Sequence, residues 1–413
     1  MHEEARTARS RRRTIVSALI GVALTTSVIL YPEDAFEASV GGLRLWFEVV
    51  LPALLPFFVL AEMMIGLGVV HFIGVLLEPF MRPLFRMPGA GAFAVAIGLA
   101  AGYPLGAKVA GDLTRARLAT GVEGERLVAF ANTADPLFLV GAVAVGMFGL
   151  PELGGPLAAS HYAAVVCVGL LMRFHARRGP ETADPPRRGT VWSRAFAAMH
   201  EARLKDGRPL GTLFGDAVKE TMSALLFVGG TIIMFSVLIR MLAVAGVTGR
   251  LTAALAPLAA ARGVDVSLIE AVVKGLVEIT NGAQAAAAAN APLTQRAVAA
   301  AGIIAWSGLS VHAQVAAMVR GTNIRVVPYI AARALHGALA AAFAWVLMGP
   351  ALGVINVGAV PALAPAWAVQ ALGFPATLFH ATASATQLGL AMLVPVAAGA
   401  AARRVAAFWA RVR

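Results

Sequence analysis

Apolar runs of about twenty residues recur along this chain, and nothing else in it constrains the fold as strongly. A segment of that length spans a bilayer as a helix, because a helix satisfies every backbone N–H and C=O within itself. Full spans are expected near 14–31, 46–70, 126–150, 156–174, 222–246, 297–318, 326–349 and 382–402. Two further apolar stretches, 92–113 and 265–290, are broken near their middles by glycine and polar residues. The 413 residues are 59% hydrophobic and 14% charged, against roughly a quarter charged in a soluble domain, and the mean hydropathy is +0.77. These features describe an all-α polytopic membrane protein with about eight transmembrane helices and two re-entrant helical hairpins.

Loop charge orients the spans through the positive-inside rule. Arg6 to Arg13 put the N-terminus in the cytoplasm, and the run Thr14–Tyr31 reads as a retained signal anchor. Glu33, Asp34 and Glu37 suit an outside loop. Arg82 and Arg86, then Arg115 and Arg117, lie inside and flank 92–113, which therefore enters and leaves on the cytoplasmic side. The basic linker 175–221, with an expected surface helix Val191–Leu204, is also inside. Residues 351–380 carry no Asp, Glu, Lys or Arg and suit an outside loop, and Arg403 to Arg413 return the C-terminus to the cytoplasm. The +12 net charge is thus explained by loops beside spans, with no interleaved aromatics to suggest nucleic-acid binding.

The chain repeats itself. Shifted by 178 residues, 57–79 matches 235–257 at eight positions: Phe57/Phe235, Val59/Val237, Leu60/Leu238, Met63/Met241, Gly68/Gly246, Val69/Val247, Leu77/Leu255 and Pro79/Pro257, where chance gives roughly two. The register continues through Gly98-Leu99 on Gly275-Leu276 and Gly106-Ala107-Lys108 on Gly282-Ala283-Gln284. An odd number of crossings between the units inverts the second, and inverted repeats with broken helices at mid-membrane are the build of secondary transporters. The expected organisation is a tail and anchor (1–45), repeat 1 (46–174), a cytoplasmic linker (175–221), repeat 2 (222–350) and an outer loop with a final span (351–413).

Four breaks supply the candidate residues. In the first hairpin, Tyr103, Gly106 and Lys108 surround Pro104, which removes a helical hydrogen bond; the restarting helix aims its N–H groups at the break. Lys108 either faces an acidic substrate or Asp135, or snorkels to the cytoplasmic surface. In the first broken span, Asn132 and Thr133 precede Asp135-Pro136, and a mid-membrane carboxylate needs a partner or a role. In the second hairpin, Glu278, Thr280 and Asn281 are polar, and Glu278 either serves the site or pairs with Lys274 one turn back. In the second broken span, Ser307, Ser310 and Gln314 share a helical face, and a break at Gly308 could turn His312 toward them. Asp135 and His312 are the candidates for an ion or proton site.

Enzyme signatures are missing from the sequence: no HExxH, P-loop or GxSxG occurs, and His161 and His200 stand isolated. Cys167 is the single cysteine, so neither a disulfide nor a Cys-ligated metal is expected. No cofactor is implied.

The runs Gly102 to Lys108, Asn132 to Pro136 and Gly141 to Gly149, with Gly275 to Thr280, Ser307 to Val311 and Ala313 to Val315 in the second half, closely resemble the YlbJ-type sporulation integral membrane proteins over roughly 45–350. That family carries the nucleoside-recognition "gate" domain and looks related to concentrative nucleoside transporters. The resemblance implies transport of dipicolinic acid, a small aromatic dianion, across the outer forespore membrane during sporulation. The family's usual residues differ at Asp135 and His312. A nucleoside remains the neighbouring substrate class, and a non-transporting scaffold for spore maturation is the alternative of a different kind. The resemblance leaves the coupling cation, the state of oligomerisation and the choice between cytoplasmic and outer forespore membrane open.

Overall fold

The structure is a computed structural model that describes residues 2–183 and 189–348; the expected outer loop 351–380 and the span 382–402 lie outside them. The described residues form helices and connecting turns. α1 (His2–Leu30) stops at Tyr31, and α2 (Pro32–Arg44) starts on Pro32, whose fixed φ and missing N–H suit a first helical turn. The expected outside loop at Glu33–Glu37 is therefore helical. It runs on through a wide turn at Leu45–Val50 into α3 (Leu51–Gly66), so that Pro32–Gly66 is one apolar helix of 35 residues.

Among the described residues, five helices are long and apolar enough to cross a membrane. Besides Pro32–Gly66 they are α8 (Gly154–Met172) with its preceding turn, α10 (Leu210–Val244), the pair α14 (Leu293–Trp306) and α15 (Gly308–Met318), and α16 (Val326–Met348). α10 starts a dozen residues before the expected span, so its first turns belong to what was read as linker.

The repeat recurs in the helices. α5 (Gly91–Ala101) and α6 (Leu105–Arg115) form the first hairpin; α12 (Ser267–Val277) and α13 (Ile279–Ala288) form the second. Before each lies a helix absent from the sequence reading: α4 (Val69–Phe80) and α11 (Val247–Ala260). The matched glycines Gly68 and Gly246 have φ of +79° and +73° at the two junctions, a conformation glycine adopts without a Cβ penalty. α7 (Gly121–Ala131) follows the first hairpin and begins with a capping box between Thr120 and Glu123.

The packing brings the two units together. Trp46 donates its indole N–H to the Leu225 carbonyl of α10 at 2.9 Å, and its ring lies where a Cβ on Gly229 would stand. One continuous apolar core takes residues from both units, among them Leu54, Leu127 and Phe138 from the first and Ile279, Ile304 and Val311 from the second. α16 packs against both α14 and α8. The surface helix expected in the linker is α9 (Val191–Asp206), which packs on α4.

Candidate functional site

Each hairpin presses against the break that follows it. A Cβ on Gly98 would stand 1.8 Å from the carbonyl oxygen of Ala131, and one on Gly106 2.2 Å from the same atom. Glycine at both positions lets the hairpin seat on the last turn of α7. At its tip Gly102 has φ +67°, and a Cβ there would meet the Asp135 carboxylate at 2.5 Å. In the second unit Gly275 and Gly282 let α12 and α13 cross closely, and Gly308 lies against the backbone of Glu278.

The chain is unwound at Asn132–Asp135. Oδ1 of Asp135 accepts hydrogen bonds from the N–H groups of Leu137 (3.0 Å) and Phe138 (2.8 Å), capping the helix that restarts through Phe138–Met147. Thr133 Oγ1 lies 2.7 Å from Nε2 of His161, which also accepts from the Ala134 N–H at 3.3 Å; the Tyr162 hydroxyl donates to the Ala134 carbonyl at 2.9 Å. These partners on α8 satisfy backbone groups that the break sets free. His161 is thus part of the site's support, where the sequence had it isolated.

The second break turns at Ser307 and Gly308, both left-handed, with φ of +72° and +75°. His312 sits with Nε2 3.1 Å from the Trp306 carbonyl and its ring 4.3 Å from that of Trp306. The second hairpin repeats the device of the first. Glu278 Oε2 accepts from the Asn281 N–H at 2.6 Å and from its side-chain amide at 3.0 Å, capping α13. Lys274 pairs with Glu270 at 2.7 Å, so the alternative Lys274–Glu278 pair is not formed.

All four breaks line one cavity of about 90 Å³: Tyr103 from the first hairpin, Ala134 and Asp135 from the first broken span, Glu278, Ile279 and Thr280 from the second hairpin, Ser310 and Gln314 from the second broken span. Residues of α3 and α10, Thr231 among them, close it. Asp135 and Glu278 are 4% and 2% exposed. Among the described residues lining it there is no lysine or arginine. Of the other expected residues, Asn132, Thr133, Ser307 and His312 are buried beside the breaks but off the cavity wall, and Gly106 packs on α7. Asn281 faces a second cavity with Ser236, Glu270, Lys274 and Gln284. Lys108 is 54% exposed and lies 3.7 Å from Asp112. It is not part of the wall of the cavity that Asp135 lines.

The charge behind the site is Arg333, fully buried on α16. It donates to the Asn132 carbonyl at 3.0 Å and to the Tyr103 hydroxyl, and Tyr103 in turn donates to the Ile304 carbonyl at 3.2 Å. The side-chain amide of Asn132 donates to the Tyr329 hydroxyl at 2.9 Å, and His336 Nε2 lies 3.0 Å from the His161 carbonyl. Tyr329, Arg333 and His336, spaced four and three apart, form one face of α16 turned to both breaks. The sequence reading passed over them, although an arginine inside an apolar span is itself the signal.

The family model Gate, nucleoside recognition, matches residues 47–179. Over 349 residues the chain is 43% identical to the sporulation integral membrane protein YlbJ of Bacillus subtilis (strain 168), covering 83% of this chain and 84% of that protein. The chain belongs to the YlbJ family of sporulation integral membrane proteins. Among solved structures, CNTnw in an inward-facing substrate-bound state matches with TM-score 0.48 at 17% identity, covering 83% of this chain and 87% of that one. An outward-facing CNTnw variant matches with TM-score 0.47 at 16% identity, covering 83% and 86%. The Gate match falls on the first unit of the YlbJ-family fold, from the wide turn before α3 to just past the end of α8.

Proposed function

We propose that this YlbJ-family chain is a transporter that carries a small organic solute through the cavity between its hairpins. The observation that carries the reading is the convergence of four helix breaks, two from each unit, on one cavity lined by two buried carboxylates. Breaking a helix in a membrane is tolerable only where protein or a wet cavity surrounds the freed groups, and a scaffold has no need of four such breaks in matched pairs. At about 90 Å³ the cavity is smaller than the few hundred Å³ of a ligand pocket, so a hairpin has to move to admit substrate.

Membership in a sporulation family favours dipicolinate as the solute, crossing the cytoplasmic or outer forespore membrane, with both termini of the chain in the cytoplasm. Ser310 and Gln314, on the wall of the cavity, offer hydrogen bonds to its carboxylates. Asp135 and Glu278 oppose a dianion, so it enters with protons or a coupling cation shared with those two side chains. A second reading, a nucleoside-like neutral solute, is favoured by the same two carboxylates, which accept hydrogen bonds from hydroxyl groups.

Calorimetry on purified protein with dipicolinate and with uridine separates the readings. Dipicolinate binding without uridine binding, lost in Ser310→Ala with Gln314→Ala and kept in Lys108→Ala, is the expected result. Uridine binding alone selects the second reading. Binding of neither returns the scaffold.

A further inference from the structure

We propose that the cavity framed by Arg82, Arg86, Arg173, Arg177 and Arg178 binds the headgroup of an acidic phospholipid bearing two phosphates. The cavity measures about 730 Å³ and holds one acidic wall residue, Glu181, against those five guanidinium groups. It is separate from the central cavity and does not depend on the transport reading.

The arrangement is built rather than incidental. Arg126, 1% exposed, donates to the main-chain carbonyls of Arg86 (2.8 Å), His175 (2.7 Å) and Ala176 (3.2 Å). It thereby ties together the two loops that carry the arginines. Both loops contain a non-glycine residue in the left-handed region, Arg86 at φ +54° and Ala176 at φ +44°, which such residues rarely occupy. Arg82 is held by Glu123 at 2.6 Å, and Arg86 by Glu181. Arg177 and Arg178 extend from the tied loop with exposed side chains. A preorganised fork of guanidinium groups matches the planar, bidentate geometry of phosphate oxygens.

Depth selects a lipid over a soluble anion. The 22-residue stretch Pro151–Met172 is long and apolar enough to cross the bilayer, and Arg173 follows directly, which puts the guanidinium groups at the end of that span. Leu171 and Phe174, 50% and 59% exposed, flank them with apolar surface. A phospholipid presents a phosphate and an acyl chain at that boundary, whereas a soluble phosphate meets only the charged half. A headgroup with two phosphates engages more of the guanidinium groups than one with a single phosphate.

The test is thermal unfolding of the full-length protein in detergent, titrated with cardiolipin, with phosphatidylcholine and with inorganic pyrophosphate. Cardiolipin is expected to raise the melting temperature saturably, and the other two to leave it unchanged. In R177Q/R178Q, which alters exposed side chains, the cardiolipin half-saturation point is expected to rise roughly thirtyfold. If the double variant fails to fold, Arg178→Gln alone is expected to raise it about fivefold. An equal response to phosphatidylcholine, a pyrophosphate response matching cardiolipin, or an unchanged titration in the variants overturns the proposal.

Discussion

The guanidinium of Arg333 donates a 3.0 Å hydrogen bond to the main-chain carbonyl of Asn132, 201 residues earlier in the chain. The bond ties α16 of the second unit to the unwound backbone of the first. Through the Tyr103 hydroxyl the same side chain holds the tip of the first hairpin, so one buried arginine fixes two of the four elements that meet at the cavity.

Replacing Arg333 with glutamine leaves the Asn132 carbonyl and the Tyr103 hydroxyl short of a donor in a buried place. Hydrogen bonds to charged groups are worth about 1.5–3 kcal/mol, so Arg333→Gln is expected to lower unfolding stability by about 3 kcal/mol. Arg333→Lys, with one compact ammonium in place of a fork, should recover part of it. Denaturation of both variants in detergent measures the difference, and equal stability of Arg333→Gln and wild type refutes the bracket.

Gly106→Ala places a methyl group 2.2 Å from the Ala131 carbonyl. Backbone must shift to admit it, at a cost of about 2–3 kcal/mol. Gly230, an exposed glycine of α10, has nothing within 4 Å of its would-be Cβ. Gly230→Ala is expected to be neutral or to gain about 0.5 kcal/mol from helix propensity. A similar melting temperature for the two alanine variants contradicts the close seating of hairpin on helix.

Asp135 and Glu278 each combine a helix cap with a charge on the cavity wall. Asparagine caps a helix as well as aspartate does, so Asp135→Asn should keep stability within about 1 kcal/mol of wild type while removing the charge; Asp135→Ala should cost about 1 kcal/mol more. If the carboxylates oppose a dianion, Asp135→Asn combined with Glu278→Gln raises dipicolinate affinity about tenfold and leaves uridine affinity unchanged or weaker. Calorimetry on the pair of variants reads both; an unchanged dipicolinate affinity removes the electrostatic argument.

Acid should loosen the basic end of the molecule through Glu123 and Glu125. Burial acts to raise the Glu123 carboxyl, but hydrogen bonds from Thr120, Thr182 and Arg82 outweigh it and hold the group below the ordinary 4.5. Glu125 is likewise buried and likewise lowered, by Arg325 and His175. A carboxylate depressed by folding contributes stability that is fully present above 4.5 and is lost as pH falls through the lower folded value. The wild-type melting temperature should therefore drop steeply below about pH 4.5, and Glu123→Gln should melt lower at pH 7 with a shallower acid slope. Parallel curves for the two proteins between pH 7 and pH 3 would show that Glu123 contributes nothing.

The places where the chain breaks were legible because each break is written in local residues: Gly102 to Gly106, Asp135-Pro136, Glu278, and Ser307-Gly308. Which side chains then face the cavity was only partly legible. Tyr103, Asp135, Glu278, Thr280, Ser310 and Gln314 line it, whereas Asn132, Thr133 and His312 are turned to partners on other helices. Facing depends on how an unwound segment twists, and no periodicity survives an unwinding. Lys108 drew attention as a charge in an apolar stretch, yet α6 carries it to an exposed face beside Asp112. Arg333 was overlooked for the opposite reason: its span is unbroken, and a search for breaks does not see it. α4 and α11 were missed because their 12 and 14 residues fall short of a spanning length.

The docking of α9 changes how far the two units can travel apart. Arg194 reaches Glu78 at 2.7 Å, and the rings of Trp192 and Phe196 pack at tilted angles against Phe72, so the linker is moored to α4 until Asp206. From there to the start of α10 at Leu210 the free leash is Gly207-Arg208-Pro209. Fully drawn out, its four peptide steps reach about 14 Å, and Arg208 is already tethered to Asp206 and Asp216. While α9 stays moored, that leash sets a mechanical ceiling on the stroke by which the start of α10 can slide past α4.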